Sequence, residues 1–312
     1  MSDGFASRRA TGILLAFLCL LLLGVMPVIS NGRPAEYSAL GFAFGLTVWQ
    51  LLFSLPLYLR ERSGGGRQPR RAKSRSNARV IAVLLGTGFL FAVSTLLYVV
   101  AFQTAGSVNA AIALQAYPLM AMALESVLHG KRRSLAEIAF TALIVAALYY
   151  LATGGTFMMR GVSAWFLLAL AVPALWSVAH VTLREMLAAD DITPNAVVTT
   201  RLVVSALFLL PVLIGMEGLD GLAAGLVRPE FAAAAALMGL VYYVELILWF
   251  NAVRFIDVSV ASSVTVPAPA VTAILAFVLL GEAVYAYQVA AMAVVIAGLY
   301  GLLRAGARQA AR

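Results

Sequence analysis

The stretch Ala101–Tyr149, AFQTAGSVNAAIALQAYPLMAMALESVLHGKRRSLAEIAFTALIVAALY, decides the fold because the chain carries it twice. Moved forward by 151 positions, it falls without a gap on Ala252–Tyr300, AVRFIDVSVASSVTVPAPAVTAILAFVLLGEAVYAYQVAAMAVVIAGLY. Pro118 lands on Pro269, Gly130 on Gly281 and Tyr149 on Tyr300; just upstream, Tyr98 lands on Trp249. One offset that carries a proline, a glycine and aromatic positions together marks a duplicated unit. The first repeat is expected over 1–157 and the second over 158–312, the two forming one membrane domain.

The 312 residues are 62% hydrophobic and only 12% charged. A water-soluble domain carries about 25% charged residues, and one aqueous core could not bury this much apolar side chain, so lipid is the expected solvent. The single cysteine, Cys19, lies in an apolar run. That excludes an intramolecular disulfide and a cysteine metal cluster. No metal site and no cofactor are expected.

A bilayer core about 30 Å thick needs about 20 helical residues. Ten such runs are predicted: 11–29, 38–59, 79–102, 108–128, 135–153, 161–183, 194–214, 231–253, 260–280 and 286–304. Helix-entry chemistry supports the starts, as in Asp191-Ile192-Thr193-Pro194, where cap oxygens precede a first-turn proline. The first run follows Arg8-Arg9 and also fits a cleaved leader. Its removal would leave nine spans and spoil the match between the halves, so it is read as a span.

The charges are segregated. With the N-terminus inside, the inner segments hold Arg8 and Arg9, the basic loop from Arg60 to Arg79, Lys131, Arg132, Arg133, Arg184, Arg254, Arg304, Arg308 and Arg312. The outer loops hold only Arg33, Arg160 and Arg228, while Arg201 lies within a span. This asymmetry predicts cytoplasmic termini. It also explains the net charge of +8 as a topology signal that touches anionic lipid, rather than as a nucleic-acid surface. Each repeat has five spans, an odd number, so the second must insert upside down. The expected fold is an all-α integral membrane protein with ten transmembrane helices in two inverted five-helix repeats, an architecture typical of secondary transporters.

Ionisable residues within the bilayer are costly and point to function. The candidates are Glu125, His180, Arg201 and Glu245, and their repeat mates Ala276, Ile29, Gln50 and Ser94 are not ionisable. Helical spacing aligns Gln115, Pro118, Met122, Glu125 and His129 on the fourth span, and Met238, Tyr242, Glu245 and Trp249 on the eighth. Phe91, Ser94 and Tyr98 share a face of the third span, and Pro173, Trp176 and His180 a face of the sixth. Rings beside a carboxylate and an amide suit a zwitterionic or cationic solute with an apolar body. The candidate cavity residues are therefore Phe91, Ser94, Tyr98, Gln115, Met122, Glu125, Trp176, His180, Tyr242, Glu245 and Trp249. Glu245 is read either as functional or as the ion-pair partner of Arg201, and the two tryptophans either as cavity walls or as interfacial anchors. Pro118 and Pro269 each remove a backbone donor near mid-span and are candidate hinges.

Ala252–Ala261 followed by Pro267-Ala268-Pro269 and Leu280-Gly281-Glu282 resembles the repeat signature of the drug/metabolite transporter superfamily, in its bacterial EamA-like branch. So does Ala101-Phe102-Gln103-Thr104-Ala105 followed by Tyr117-Pro118-Leu119. The first repeat departs from that signature with Gly130-Lys131 in place of Gly-Glu. The resemblance implies export of small metabolites, amino acids foremost and aromatic ones among them. It further implies a central cavity lined by spans 1, 3, 4, 6, 8 and 9, and a multi-pass protein of a bacterial-type inner membrane.

The expected function is secondary transport of a small-molecule solute outward by alternating access. The lipid bilayer is the second partner, protons coupled through Glu245 or Glu125 are a candidate third, and nucleic acid is not a partner. The chain lacks a Walker phosphate loop, which argues against ATP-driven pumping. An intramembrane enzyme is a poor alternative, since the two histidines sit in different spans and neither a Gly-x-Ser-x-Gly nor a His-Glu-x-x-His motif occurs. A non-transporting receptor or scaffold is the other alternative, though a static scaffold has no need of two matching halves.

Overall fold

Among the described residues, ten helices are long and apolar enough to cross a membrane. A computed structural model describes residues 2–33, 38–65, 77–129, 134–158, 164–188 and 192–310. The side chains of Glu125 and His129, Lys131 and most of the basic loop lie outside the described residues. The spans are Ser2–Asn31, Ala39–Arg60, Asn77–Ala105, a fourth divided into Ser107–Leu114 and Tyr117–His129, and Leu135–Ala152. Then come Ala164–Ala188, Pro194–Val227 with a kink at Gly218 near its end, Pro229–Phe255, a ninth divided into Val258–Val264, Ala268–Leu275 and a π-helical turn Ala276–Leu280, and Ala286–Ala310. They are numbered 1 to 10 below. Among the described residues there is no strand.

These segments fold as helices because lipid offers no partners to backbone amides, so every N–H must bond within its own segment. Side-chain oxygens start several of them. Ser38 Oγ accepts from the Gly41 N–H at 2.8 Å, Ser134 and Glu137 form a reciprocal capping box, and Thr193 Oγ1 accepts from the Ala196 N–H at 3.2 Å, with Pro194 in the first turn as the sequence predicts. The burial pattern is inverted relative to a protein in water. Leu207, Phe277, Val278 and Leu279 face outward, while Gln50, Ser94, His180, Arg201 and Glu245 are buried.

Helix packing repeats with the sequence. Span 1 packs along span 8, and span 3 along span 6; span 3 meets span 7, and span 8 meets span 2; span 1 meets span 9, and span 6 meets span 4. Each contact turns into its partner when spans 1–5 are exchanged with spans 6–10. Spans 2 and 7, and spans 5 and 10, pack as self-matching pairs. Such pairing is what a two-fold between two five-helix repeats requires, and the odd number of spans per repeat places its axis in the membrane plane.

Both interrupted spans break just before the candidate hinge prolines. Pro118 lacks an N–H, so the Leu114 carbonyl loses its helical partner, and the turn tightens with Gln115 N–H on Ile112 O and Ala116 N–H on Ala113 O, both at 3.0 Å. In span 9, Pro267 and Pro269 act together: Ala268 N–H bonds Thr265 O at 3.0 Å and Ala270 N–H bonds Pro267 O at 2.9 Å. The break is reached through Gly24. A Cβ there would lie 2.6 Å from Val271, and Thr272 Oγ1 donates to the Gly24 carbonyl at 2.9 Å. Span 1 therefore touches the broken backbone of span 9.

Candidate functional site

Between the two repeats lies a chamber with two lobes. The first holds about 370 Å³ of empty space, lined by Leu23, Phe91, Tyr117, Trp176, His180, Arg201, Tyr242, Glu245, Leu246, Trp249 and Thr265. The second holds about 410 Å³ and is bounded by Gln115, Pro118, Pro269 and Thr272 among others. The lobes share Leu23, Tyr117, Trp176 and Thr265. Spans 1, 3, 4, 6, 8 and 9 all contribute, as the family resemblance implies, and span 7 adds Arg201.

The walls of the first lobe are aromatic and interlocked. Tyr117 meets Trp176 edge-on at 6.2 Å between ring centroids and Trp249 at 5.8 Å. His180 lies 5.4 Å from Trp249 and 5.1 Å from Phe91. Its Nδ1 shares a 2.8 Å hydrogen bond with the Tyr117 hydroxyl, which ties span 6 to the second half of span 4. Trp176 Nε1 donates to Ser94 Oγ at 3.1 Å. The Tyr98 hydroxyl, Trp249 Nε1 and His180 Nε2 have no hydrogen-bond partner among the described residues.

Two opposite charges meet this lobe. Glu245 is 4% exposed and Arg201 2%. The Arg201 guanidinium stacks on Phe91, with Cζ 3.9 Å from the ring centroid, and lies 5.7 Å from the Tyr242 ring. Its side chain bonds Tyr242, its Nε and Nη1 have no partner among the described residues, and no ion pair within 4 Å joins it to Glu245. The ion-pair reading of Glu245 in its close form is therefore not realised: both charges face one chamber without touching.

The other sequence candidates divide as follows. Phe91, Trp176, His180, Tyr242, Glu245 and Trp249 line the first lobe, with both tryptophans buried. Gln115, Pro118 and Pro269 line the second. Ser94 and Tyr98 stand one layer back, Ser94 on Trp176 and Tyr98 stacked at 6.1 Å on Trp176 and 6.4 Å on Tyr242. Met122 is buried but borders neither lobe. The break at Gln115 removes that residue from the helix face shared by Pro118 and Met122, which both lie on Tyr117–His129. The Glu125 side chain lies outside the described ones. Tyr117, Leu23 and Thr265 were missed. Tyr117 carried a signal, since it directly precedes a mid-span proline; Leu23 and Thr265 carried none in periodicity.

Polar ties close on both ends of the bundle. At the end away from the chain termini, Glu282 accepts from the Asn31 side chain and from Ser107 Oγ at 2.9 Å. Gln288 Nε2 donates to Asn109 Oδ1 at 2.8 Å. Arg33, just beyond span 1, donates to Ser30 O at 2.6 Å and Gln103 Oε1 at 2.7 Å, and burial lowers its pKa from the ordinary arginine value. At the end that carries the termini, Arg184 pairs with Asp257 and Asn195 Nδ2 donates to Glu61 Oε2 at 2.8 Å. Arg33 and Arg184 are repeat mates under the 151-residue offset.

A ten-span helical protein with a duplicated unit and a chamber at the repeat interface is a multi-pass membrane protein of the transporter class. The profile of the EamA-like transporter family matches residues 10–153 and again residues 163–304. The chain belongs to that family, within the drug/metabolite transporter superfamily, and is a membrane transporter of small solutes. One similar solved structure, described only as the crystal structure of a protein, is 20% identical. It aligns over 94% of this chain and 96% of its own with a TM-score of 0.65, a likeness of fold. No curated protein matches the chain.

Proposed function

We propose that the protein is a secondary transporter that exports amino acids, aromatic ones among them, or related zwitterionic and cationic solutes, by alternating access through the two-lobed chamber. The observation that carries the reading is the chamber itself: an aromatic box bearing one carboxylate and one guanidinium, set between repeats whose packing contacts exchange in pairs. The tie at each end supplies a seal that one state keeps and the other breaks, and the interrupted spans 4 and 9 supply backbone that can rearrange. The end carrying the termini is the cytoplasmic one, as the segregation of arginine and lysine indicates, and the membrane is a bacterial-type inner membrane, as the family resemblance implies.

The test is counterflow in proteoliposomes. Vesicles preloaded with an amino-acid mixture accumulate labelled aromatic amino acid only if the protein is present. Absence of uptake for every amino acid, amine and zwitterion tried would sink the reading, and solute binding without passage would favour a receptor. Cysteines placed in the Ser63–Arg75 loop are expected to label only from the cytoplasmic side.

A further inference from the structure

Arg201 and Glu245 are opposite charges on the first lobe, and their repeat mates Gln50 and Ser94 are neutral. The pair is therefore no part of what duplication needed in order to fold. A guanidinium sequestered with unused N–H donors is costly, several kcal/mol when its charge is uncompensated. Arg201 is only partly satisfied: it is 2% exposed, one face is covered by Phe91, its side chain bonds Tyr242, Nε and Nη1 have no partner among the described residues, and no ion pair within 4 Å joins it to Glu245. An anion entering the chamber relieves it, and a cation beside Glu245 does the same for the carboxylate.

Resting on the transport reading above, we infer that Arg201 is the subsite for the anionic group of the solute and that Glu245 faces its cationic group, so that the chamber selects zwitterions over singly charged analogues with the same apolar body. Charge balance supports this. With both residues ionised the lobe is neutral, and a zwitterion keeps it neutral. A bare amine or a bare carboxylate brings a net charge into a low-dielectric site within the bilayer, which is penalised. The planar guanidinium fork matches a carboxylate better than a point charge does. Tyr117, Trp176, Tyr242 and Trp249 then enclose the body, with ring faces free to contact the ammonium.

The experiment follows intrinsic tryptophan fluorescence of the purified protein, since Trp176 and Trp249 wall the lobe. Three probes share one ring and side chain: L-phenylalanine, phenethylamine without the carboxylate, and 3-phenylpropionate without the ammonium. L-phenylalanine is expected to bind at least tenfold more tightly than either analogue. Arg201→Gln is expected to abolish its advantage over phenethylamine, whose lone positive charge then balances Glu245 and which binds more tightly, and Arg201→Lys to restore part of that advantage. Equal binding of L-phenylalanine and phenethylamine by the wild-type protein, or no response to any probe, overturns the inference without recourse to a variant. Should counterflow proceed while the analogues bind equally, the zwitterion subsite fails and the transport reading stands. Should the zwitterion preference hold with no flux of any solute, the transport reading fails instead.

Discussion

Glu282 Oε1 accepts a hydrogen bond from Ser107 Oγ at 2.9 Å, across 175 residues of chain, and lies 3.4 Å from the Ser107 backbone nitrogen. A carboxylate from the end of span 9 thus serves as the N-terminal cap of the first half of span 4, whose own cap position is Gly106, with φ 82° and no side chain to offer. The same oxygen takes the Asn31 amide from span 1. One side chain therefore ties the two repeats together at the end away from the termini.

Replacing Glu282 with Ala removes that cap and leaves the Asn31 and Ser107 donors facing one another. The expected loss is about 0.5–2 kcal/mol, the range for a lost N-cap, read as a lower Tm in detergent. Glu282→Gln keeps one accepting oxygen and is expected to recover part of it. An unchanged Tm in the Ala variant would show that the tie carries no load.

Glu245→Gln leaves the volume of the first lobe unchanged but removes its negative charge. Flux in proteoliposomes is expected to fall at least tenfold, or its pH profile to shift, with Tm held or raised because a buried charge has been removed. Flux equal to wild type at every pH would take Glu245 out of the mechanism.

Gly24→Leu puts a side chain where even a Cβ lies 2.6 Å from Val271. Span 1 must then back away from the break in span 9. Overpacking of this kind costs about 1–3 kcal/mol, and a Tm lowered by several degrees is the expected result. Gly86, inside a helix where an added Cβ meets nothing within 4 Å, is the control: Gly86→Ala is expected to hold or raise Tm, never to lower it.

Gln50 is fully buried, and neither its Nε2 nor its Oε1 has a hydrogen-bond partner among the described residues. Leu at this position removes two unsatisfied polar atoms for little change in volume. Tm is expected to stay level or rise by an amount equivalent to about 1 kcal/mol. A clear fall in Tm would show that the amide is bonded, through water or otherwise, in the folded protein.

Hydropathy and repetition alone made the membrane solvent, the ten spans and the paired five-helix units legible, because an apolar run of about 20 residues has few other uses and a gapless offset has no other source. The prolines announced where spans 4 and 9 would weaken, since a missing N–H is a property of the residue and not of its neighbours. Periodicity also sorted Met238, Tyr242, Glu245 and Trp249 onto one buried face of span 8, a straight helix for which spacing suffices.

What the chain could not reveal is how each helix is turned toward the others. Spacing names the face of a helix but gives no rotation between helices, so Arg201 and Glu245 could equally have touched or stood apart. Only their placement in the packed bundle left them unpaired on a common chamber. The same holds for Met122, buried away from both lobes although Pro118 on the same helix lines one of them, and for Glu282, whose partners Asn31 and Ser107 lie in the other repeat. Composition and local sequence determined which segments enter the membrane; long-range packing decided which charges confront the solute, because that choice depends on contacts between residues far apart in the chain.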